Sequence, residues 1–137
     1  MRPETLLALA PEALRSAGLS GNKAASLRDL TAKVLDGTVV LSPRGLSRED
    51  DEEVIARVST VRGIGRWTAE MFLMFQLRRP DVWPVEDLGV RKGYALIHRL
   101  AEPPKPKALL LLGDAYRPYR TVAAWYCWRA AETIVPD

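Results

Sequence analysis

Gly63 and Gly65 stand two residues apart with Ile64 between them, and Arg62 and Arg66 flank the pair. Glycine permits a tight turn and lets another chain approach the backbone N–H groups. A helix that begins directly afterwards adds further N–H donors at its first turn. Such a nest of donors suits a phosphate of a nucleic-acid backbone and reads no base. A Gly-x-Gly pair also occurs in ordinary interhelical turns, so the motif alone leaves both interpretations open.

The elements around this motif are predicted to be short helices. Pro3 and Pro11 are each suited to the first position of a helix. Ser47 with Asp50 three residues later predicts a capped helix that runs to about Val58. The residues between this helix and the next one contain the glycine pair, so the sequence predicts a helix-hairpin-helix over about residues 50–78.

The second half of the chain continues the helical pattern. The sequence predicts an apolar helix over 66–77, a helix over 88–100, and two more over 107–116 and 119–133. On the helix over 88–100, four residues are expected to face inward: Val90, Tyr94, Leu96 and Ile97. With no alternating strand pattern, the expected fold is all-α, a single compact multi-helix domain over residues 1–137.

Composition excludes several classes of protein. Among 137 residues there is one cysteine, Cys127, which rules out an internal disulfide, a thiolate zinc site and an iron–sulfur cluster. Apolar runs such as Ala108–Leu112 are far shorter than the roughly 20 residues of a membrane-spanning helix. No secretory leader is recognised at Met1, so a cytoplasmic location is expected.

Charge differs between the two parts of the chain. Residues 1–60 hold eight basic and nine acidic side chains, whereas residues 61–137 hold twelve and eight. The net charges are therefore −1 and +4, which together give the +3 of the whole chain. A basic excess beside the glycine pair favours a polyanionic partner, although the charge alone is weak evidence.

Three ordered motifs resemble one protein family: VRGIGRWTAE (61–70), DVWPVEDLGVRKG (81–93) and RPYRTVAAWYCWR (117–129). They are similar to the helix-hairpin-helix DNA glycosylases, in particular the 3-methyladenine DNA glycosylase II branch. The leader over residues 4–30 is also similar to the segment that precedes the hairpin in that family. The resemblance implies DNA repair by base excision, with alkylation-damaged double-stranded DNA as the partner.

The resemblance assigns the catalytic role to Asp87, 20 residues after Trp67 at the start of a predicted helix. Breaking an N-glycosidic bond builds positive charge on the sugar, which an ionised carboxylate can stabilise while it activates water. Asp87 could also simply cap the helix, and the two roles are compatible. Glu86, which would point elsewhere on the helix, is expected to face solvent.

The same resemblance places Trp67 and Trp128 in the base pocket. Electron-rich rings can hold a cationic alkylated purine by stacking once it is flipped out of the duplex. Core packing is the alternative for these residues, and it is the expectation for Trp83 and Trp125. Met71 replaces the tyrosine common in the family, which predicts a differently tuned pocket.

Reaction type depends on position 67. Relatives that cleave the backbone have a lysine there as the amine nucleophile, whereas this chain has Trp67. A monofunctional hydrolase that leaves an abasic site is therefore implied. Lys92 stands at the wrong spacing and is expected to contact phosphate or solvent. No organic cofactor or catalytic metal is expected, apart from a monovalent cation at the hairpin when DNA is bound.

Two further side chains have structural roles in this interpretation. The resemblance suggests that Arg120 braces the helix ends around the site, with solvent exposure as the open alternative. His98 is expected to be structural, because no acid cluster or second histidine accompanies it.

The front of the chain departs from the family. Nothing over Met1–Leu19 resembles the additional first helices of family members or the side chain that wedges into the DNA stack. Without that wedge the energetic cost of base extrusion must be compensated elsewhere, so weak activity and no activity are both open outcomes. The alternatives are a non-catalytic DNA-binding module, an inactive shortened glycosylase, or a domain that self-associates or binds a complementing chain through exposed apolar surface.

Overall fold

The structure, a computed structural model, describes residues 2–133 apart from the side chains of residues 43 and 44. All regular elements in these residues are helical, so the predicted all-α class is confirmed. The α-helices are α1 (Pro3–Ala8), α2 (Pro11–Ser16), α3 (Gly21–Leu35), α4 (Pro43–Leu46), α5 (Asp51–Val58), α6 (Arg66–Met71), α7 (Leu88–Ile97), α8 (Pro106–Leu112) and α9 (Arg120–Glu132). Within 2–133, no helix combines the length and the apolar character needed to cross a bilayer.

Proline and acidic caps fix where the first helices begin. Pro3 and Pro11 occupy the first turns of α1 and α2, as predicted. The prediction for α5 is wrong by three residues, because its N-cap is Asp50 and not Ser47. Asp50 Oδ1 accepts the Glu53 N–H at 2.8 Å, and Glu53 Oε2 accepts the Asp50 N–H at 2.8 Å. This reciprocal pair satisfies two N–H donors that the start of a helix otherwise leaves unpaired.

The chain divides into two compact units, residues 1–69 and 70–137, with the division inside α6. The single domain expected from the sequence stays a prediction. In the first unit, α1 and α2 both pack on α3. The Arg28 guanidinium on α3 donates to the carbonyl oxygen of Leu9, which directly follows α1, at 2.8 Å. This bond connects α3 to the end of α1. The buried apolar residues of this unit include Leu14, Val39, Leu46, Val54, Ile55, Val58 and Val61.

In the second unit, α7 packs directly on α9. A Cβ on Gly93 would lie 1.8 Å from the Cys127 carbonyl oxygen, so only glycine permits this helix contact. The Cys127 thiol is buried there, and desolvation raises its pKa to about 11, so it stays protonated at neutral pH. The buried apolar residues include Leu73, Met74, Val82, Trp83, Val90, Tyr94, Leu109 and Ala124.

Three predicted helices end early as α-helices. α8 stops at Leu112 and continues as a 3₁₀ turn, Gly113–Tyr116. α6 stops at Met71 and continues as a π-helical turn, Phe72–Gln76, in which the Leu77 N–H bonds to the Phe72 carbonyl oxygen at 3.1 Å. α7 ends at Ile97 and not at residue 100, and Arg99 has a positive φ of 54° just beyond it. A positive φ is incompatible with continuation of a right-handed helix.

Three inward-facing predictions are wrong, two on α7 and one on α9. Leu96 and Ile97, in the last turn of α7, are 46% and 48% exposed. Trp83 is buried as predicted, and its Nε1 donates to the Leu109 carbonyl oxygen at 2.8 Å. Trp125 on α9 is 48% exposed and not in the core. Apolar residues lie on every side of α9, so its pattern does not show which side packs.

Candidate active site and nucleic-acid interface

The glycine pair lies in a turn of the first unit between α5 and α6. Gly63 has a φ of 77°, and the Ile64 N–H bonds to the Val61 carbonyl oxygen at 3.1 Å, which closes the turn. Arg62 and Gly65 are exposed and Ile64 is half-buried. Within residues 2–133, the N–H groups of Gly63 and Gly65 have no hydrogen-bond acceptor. The turn therefore presents backbone donors to solvent.

Helix α3 holds this turn through two side chains, Asp29 and Lys33. Asp29 Oδ2 accepts the Arg62 N–H at 2.7 Å and the Lys33 ammonium at 2.6 Å. These two hydrogen bonds lower the pKa of Asp29 below its usual value, and the bond from Lys33 has the larger effect. Lys33 Nζ also donates to the Thr60 carbonyl oxygen at 2.7 Å. Sequence analysis missed Asp29 because Arg62, its partner in the turn, lies 33 residues away in the chain.

Two details refine the predicted phosphate site. The Arg66 guanidinium forms a two-pronged ion pair with Glu52, at 2.6 and 2.9 Å, which lowers the pKa of Glu52. A phosphate must therefore compete with Glu52 for Arg66, although both side chains are largely exposed. The monovalent cation at the hairpin stays a prediction. One carbonyl oxygen of the turn, that of Thr60, already accepts the Lys33 ammonium.

In the second unit, Asp87 is the N-cap of α7. Its Oδ1 accepts the Val90 N–H at 2.8 Å and the Trp128 Nε1–H at 2.7 Å. The capping role considered from the sequence is thus present, and a second donor from α9 fixes the same carboxylate. Glu86 is exposed, in agreement with the prediction.

Trp128 lies against the first turn of α7 and beside the π-helical turn. A Cβ on Gly89 would be 2.8 Å from Trp128 Cδ1, so the glycine lets the indole approach this turn. On the indole, the Phe75 ring stacks with a centroid separation of 5.9 Å and an interplanar angle of 22°. The side chains of Phe75, Trp128 and Asp87 therefore form a continuous series of contacts. Neither Phe75 nor Gly89 was anticipated from the sequence.

Known proteins of one superfamily are similar to this chain. Residues 1–117 match the sequence profile described as HhH-GPD superfamily base excision DNA repair protein. The chain belongs to the HhH-GPD superfamily. Its similarity to DNA-3-methyladenine glycosylase 1 of Schizosaccharomyces pombe is 37% identity over 130 residues, which is 95% of this chain and 57% of that protein.

Two solved structures extend the likeness to three dimensions. The S. pombe 3-methyladenine DNA glycosylase in complex with abasic DNA aligns with a TM-score of 0.84 at 36% identity. That alignment covers 97% of this chain and 64% of the other. A DNA-3-methyladenine glycosidase of Bacillus halodurans aligns with a TM-score of 0.86 at 39% identity, over 96% and 60% of the two chains. This chain thus spans about 60% of the length of these relatives.

Within the HhH-GPD chain, the predicted site residues fall in both units. Asp87 and Trp128 are in direct contact, whereas Trp67 belongs to the first unit, where it is 48% exposed. Met71 is half-buried in the second unit. A pocket that contains Trp67 and Met71 together with Trp128 stays a prediction. Lys92 is exposed on α7, as expected.

Arg120 is a brace and not a solvent-exposed side chain. Its guanidinium bonds to both carboxylate oxygens of Asp81, at 2.7 and 3.0 Å, and to the Asp81 carbonyl oxygen at 3.0 Å. These bonds lower the pKa of Asp81. Thr121 Oγ1 donates to the Arg79 carbonyl oxygen at 2.7 Å and accepts the Val82 N–H at 2.9 Å. The start of α9 is therefore fixed to the segment over 79–82.

His98 has the structural role expected of it. Its Nε2 lies 2.6 Å from the Tyr116 hydroxyl, and its ring stacks on Tyr94 with centroids 4.2 Å apart. Burial raises the pKa of the Tyr116 hydroxyl above its ordinary value. Across residues 2–133, no group of three or more His, Cys, Asp or Glu side chains is arranged to hold a metal ion.

Proposed function

We propose that this protein is a monofunctional DNA glycosylase that releases alkylated purines of the 3-methyladenine type and leaves an abasic site. The observation that carries the proposal is the Asp87 carboxylate fixed by the Trp128 indole and the Val90 N–H. Two relatives of this chain are named for glycosylase action on 3-methyladenine, which supports the substrate class.

The chemistry can be written with the residues of the second unit. The glycosidic C–N bond breaks and its electron pair leaves with the base, so a cationic alkylpurine departs neutral. Positive charge develops on the sugar, where the Asp87 carboxylate stabilises it. Water then attacks the sugar carbon, and Asp87 accepts its proton. The Trp128 ring offers a π-surface to the cationic base.

Duplex DNA is the proposed partner, bound through the hairpin of the first unit. The exposed N–H donors of Gly63 and Gly65, with Arg62 and Arg66, supply contacts to phosphate and none to bases. This surface is held by Asp29 within the first unit, so it does not depend on the catalytic carboxylate. A non-catalytic DNA-binding module is therefore the second proposal, favoured if no base is released.

The exposed apolar surface of the second unit supports a further proposal, self-association. A groove of about 300 Å³ is lined mainly by Ile97, Tyr116, Tyr119, Val122 and Tyr126. Tyr119 and Tyr126 are 64% and 59% exposed. Large contiguous apolar patches mark interaction sites, which is the basis for proposing association through this groove. A second copy of the chain is the occupant we propose.

Substitution of Asp87 tests the enzyme proposal. Asp87→Asn keeps an Oδ1 acceptor for Val90 and Trp128, so α7 retains its cap while the negative charge is lost. We expect the transition state to lose about 3 kcal/mol of stabilisation, so the rate of 3-methyladenine release from alkylated duplex DNA should fall more than roughly 100-fold. DNA binding should persist, because the charge removed is negative.

Glu86→Gln is the matched control, since it removes the same charge from the exposed neighbouring residue. It should leave base release unchanged. If the wild-type protein releases no base from methylated, deaminated or hypoxanthine-containing duplexes, the enzyme proposal is wrong and the binding module is retained.

A further inference from the structure

Phe75 is an aromatic side chain that the core does not explain. Its ring is 62% exposed, although Leu73 and Met74 beside it are buried. Exposed single apolar residues are common, so exposure alone indicates nothing. The contact that distinguishes Phe75 is its stacked arrangement on Trp128, at 5.9 Å and 22°.

The backbone that carries Phe75 is a π-helical turn. In the regular helix predicted over 66–77, each residue would follow its predecessor by about 100° around the axis. The π turn over Phe72–Gln76 accommodates an extra residue, and the Leu77 N–H reaches back five residues to the Phe72 carbonyl oxygen. Such turns re-aim the side chains that follow, and they are frequent at functional sites.

Trp128 is restrained from two directions. Phe75 lies over the indole ring, and Gly89 lies against its Cδ1 and Nε1 edge. The restrained indole donates its Nε1–H to Asp87 Oδ1 at 2.7 Å. A rotation of the indole about its side-chain bonds would break that hydrogen bond, because the donor is at the ring edge.

We propose that Phe75 is a positioning residue: its stacking holds the Trp128 indole in the orientation that keeps Nε1–H on the Asp87 carboxylate. The relevance of this to catalysis rests on the proposed function, whereas the mechanical coupling does not. Phe75 acts through Trp128 and does not itself stabilise the cationic sugar.

The coupling is measured in the chain without substrate. In the spectrum of ¹⁵N-labelled protein, the indole N–H resonance of Trp128 is assigned as the signal that is missing from the Trp128→Phe variant. Asp87→Asn should shift this resonance, because the acceptor changes from a carboxylate to an amide. In a Phe75→Ala background, the same Asp87→Asn change should shift the Trp128 resonance by less than half as much. The difference between the two shifts measures the coupling, as in a double-mutant cycle.

Matched variants separate this role from general packing. Phe75→Tyr keeps the ring and should retain the full shift, whereas Phe75→Leu keeps apolar bulk without an aromatic face and should behave like Phe75→Ala. Leu111→Ala truncates another exposed apolar side chain, 71% exposed on α8, and should change nothing. An undiminished Asp87→Asn shift in the Phe75→Ala background overturns the proposal.

Enzyme kinetics give the second readout. Phe75→Ala should lower kcat for base release roughly ten- to a hundredfold, as misplaced catalytic groups do. KM should stay within about twofold, because the hairpin that binds DNA lies in the first unit. A raised KM with unchanged kcat contradicts the positioning role. If wild-type protein releases no base while the resonance coupling is present, the proposed function fails and the coupling stands.

Discussion

Asp87 performs a local and a long-range task with the same oxygen atom. Its Oδ1 caps α7 through the Val90 N–H and also accepts the Trp128 indole from α9. Because both donors come from fixed helices, the carboxylate is oriented before any substrate arrives. Preorganisation of this kind is what makes a charge effective in a transition state.

Position 67 leads to a prediction about strand cleavage. The Trp67 indole nitrogen is a hydrogen-bond donor and not a nucleophile, so no amine stands where bifunctional relatives have their lysine. Incubation with alkylated duplex should give intact strands that break only after alkali, and borohydride should trap no covalent complex. Trp67→Lys should not create a lyase, because it also removes the predicted pocket wall.

A borohydride-trapped adduct on wild-type protein would show that Lys92 or another amine attacks the sugar. Lys92→Ala, which changes an exposed side chain, then identifies or excludes that residue as the amine. The assignment of the attack to water would be wrong in either case.

The hairpin between α5 and α6 is stabilised by an element that precedes it in the chain. Asp29 and Lys33, one turn apart on α3, bond to the backbone of Arg62 and Thr60, which precede the glycine pair. A Cβ on Gly63 would lie 2.7 Å from Ser26 Oγ, another side chain of α3. The shape of the turn therefore depends on α3 as well as on its own two glycines.

A charge placed in this turn tests its role in DNA binding. Gly65 has open space around its Cβ direction and no positive φ, so Gly65→Asp fits without strain. We expect it to weaken binding to duplex DNA at least tenfold, because a carboxylate repels phosphate. Wild-type affinity should fall steeply with salt and vary little with sequence.

Gly21→Asp is the matched control, since Gly21 at the start of α3 has the same open surroundings. It adds an equal charge within the same unit and should cost far less affinity. Equal affinities for wild type and Gly65→Asp, with a flat salt dependence, would remove the hairpin from the account of DNA binding.

For the molecule as a whole, exposed apolar surface is concentrated in the second unit. If an aromatic side chain presents about 200 Å², Tyr119 and Tyr126 together expose about 250 Å². Stable interfaces need about 800 Å² from each partner, so a dimer contact needs Ile97, Val122 and further surface of the second unit besides these tyrosines.

Sedimentation velocity over a range of protein concentrations measures this association. We expect a reversible dimer for wild type and a monomer for Tyr126→Asp, which places a charge in the groove. Trp125→Asp is the matched control, since Trp125 is a neighbouring exposed residue that does not line the groove. This substitution should weaken the dimer less than Tyr126→Asp does. A wild-type protein that stays monomeric at all concentrations contradicts self-association.

Features that depend on residues close together in the chain could be predicted from the sequence. Contacts between residues far apart in the chain could not. The helical class, the glycine turn and the capping position of Asp87 follow from residues within one helical turn of each other. The bond between Asp87 and Trp128 joins residues 41 apart, and that between Asp29 and Arg62 joins residues 33 apart. Such pairs are set by the way helices pack. On α9, which is apolar on every side, only packing on α7 decided that Cys127 is buried and Trp125 exposed.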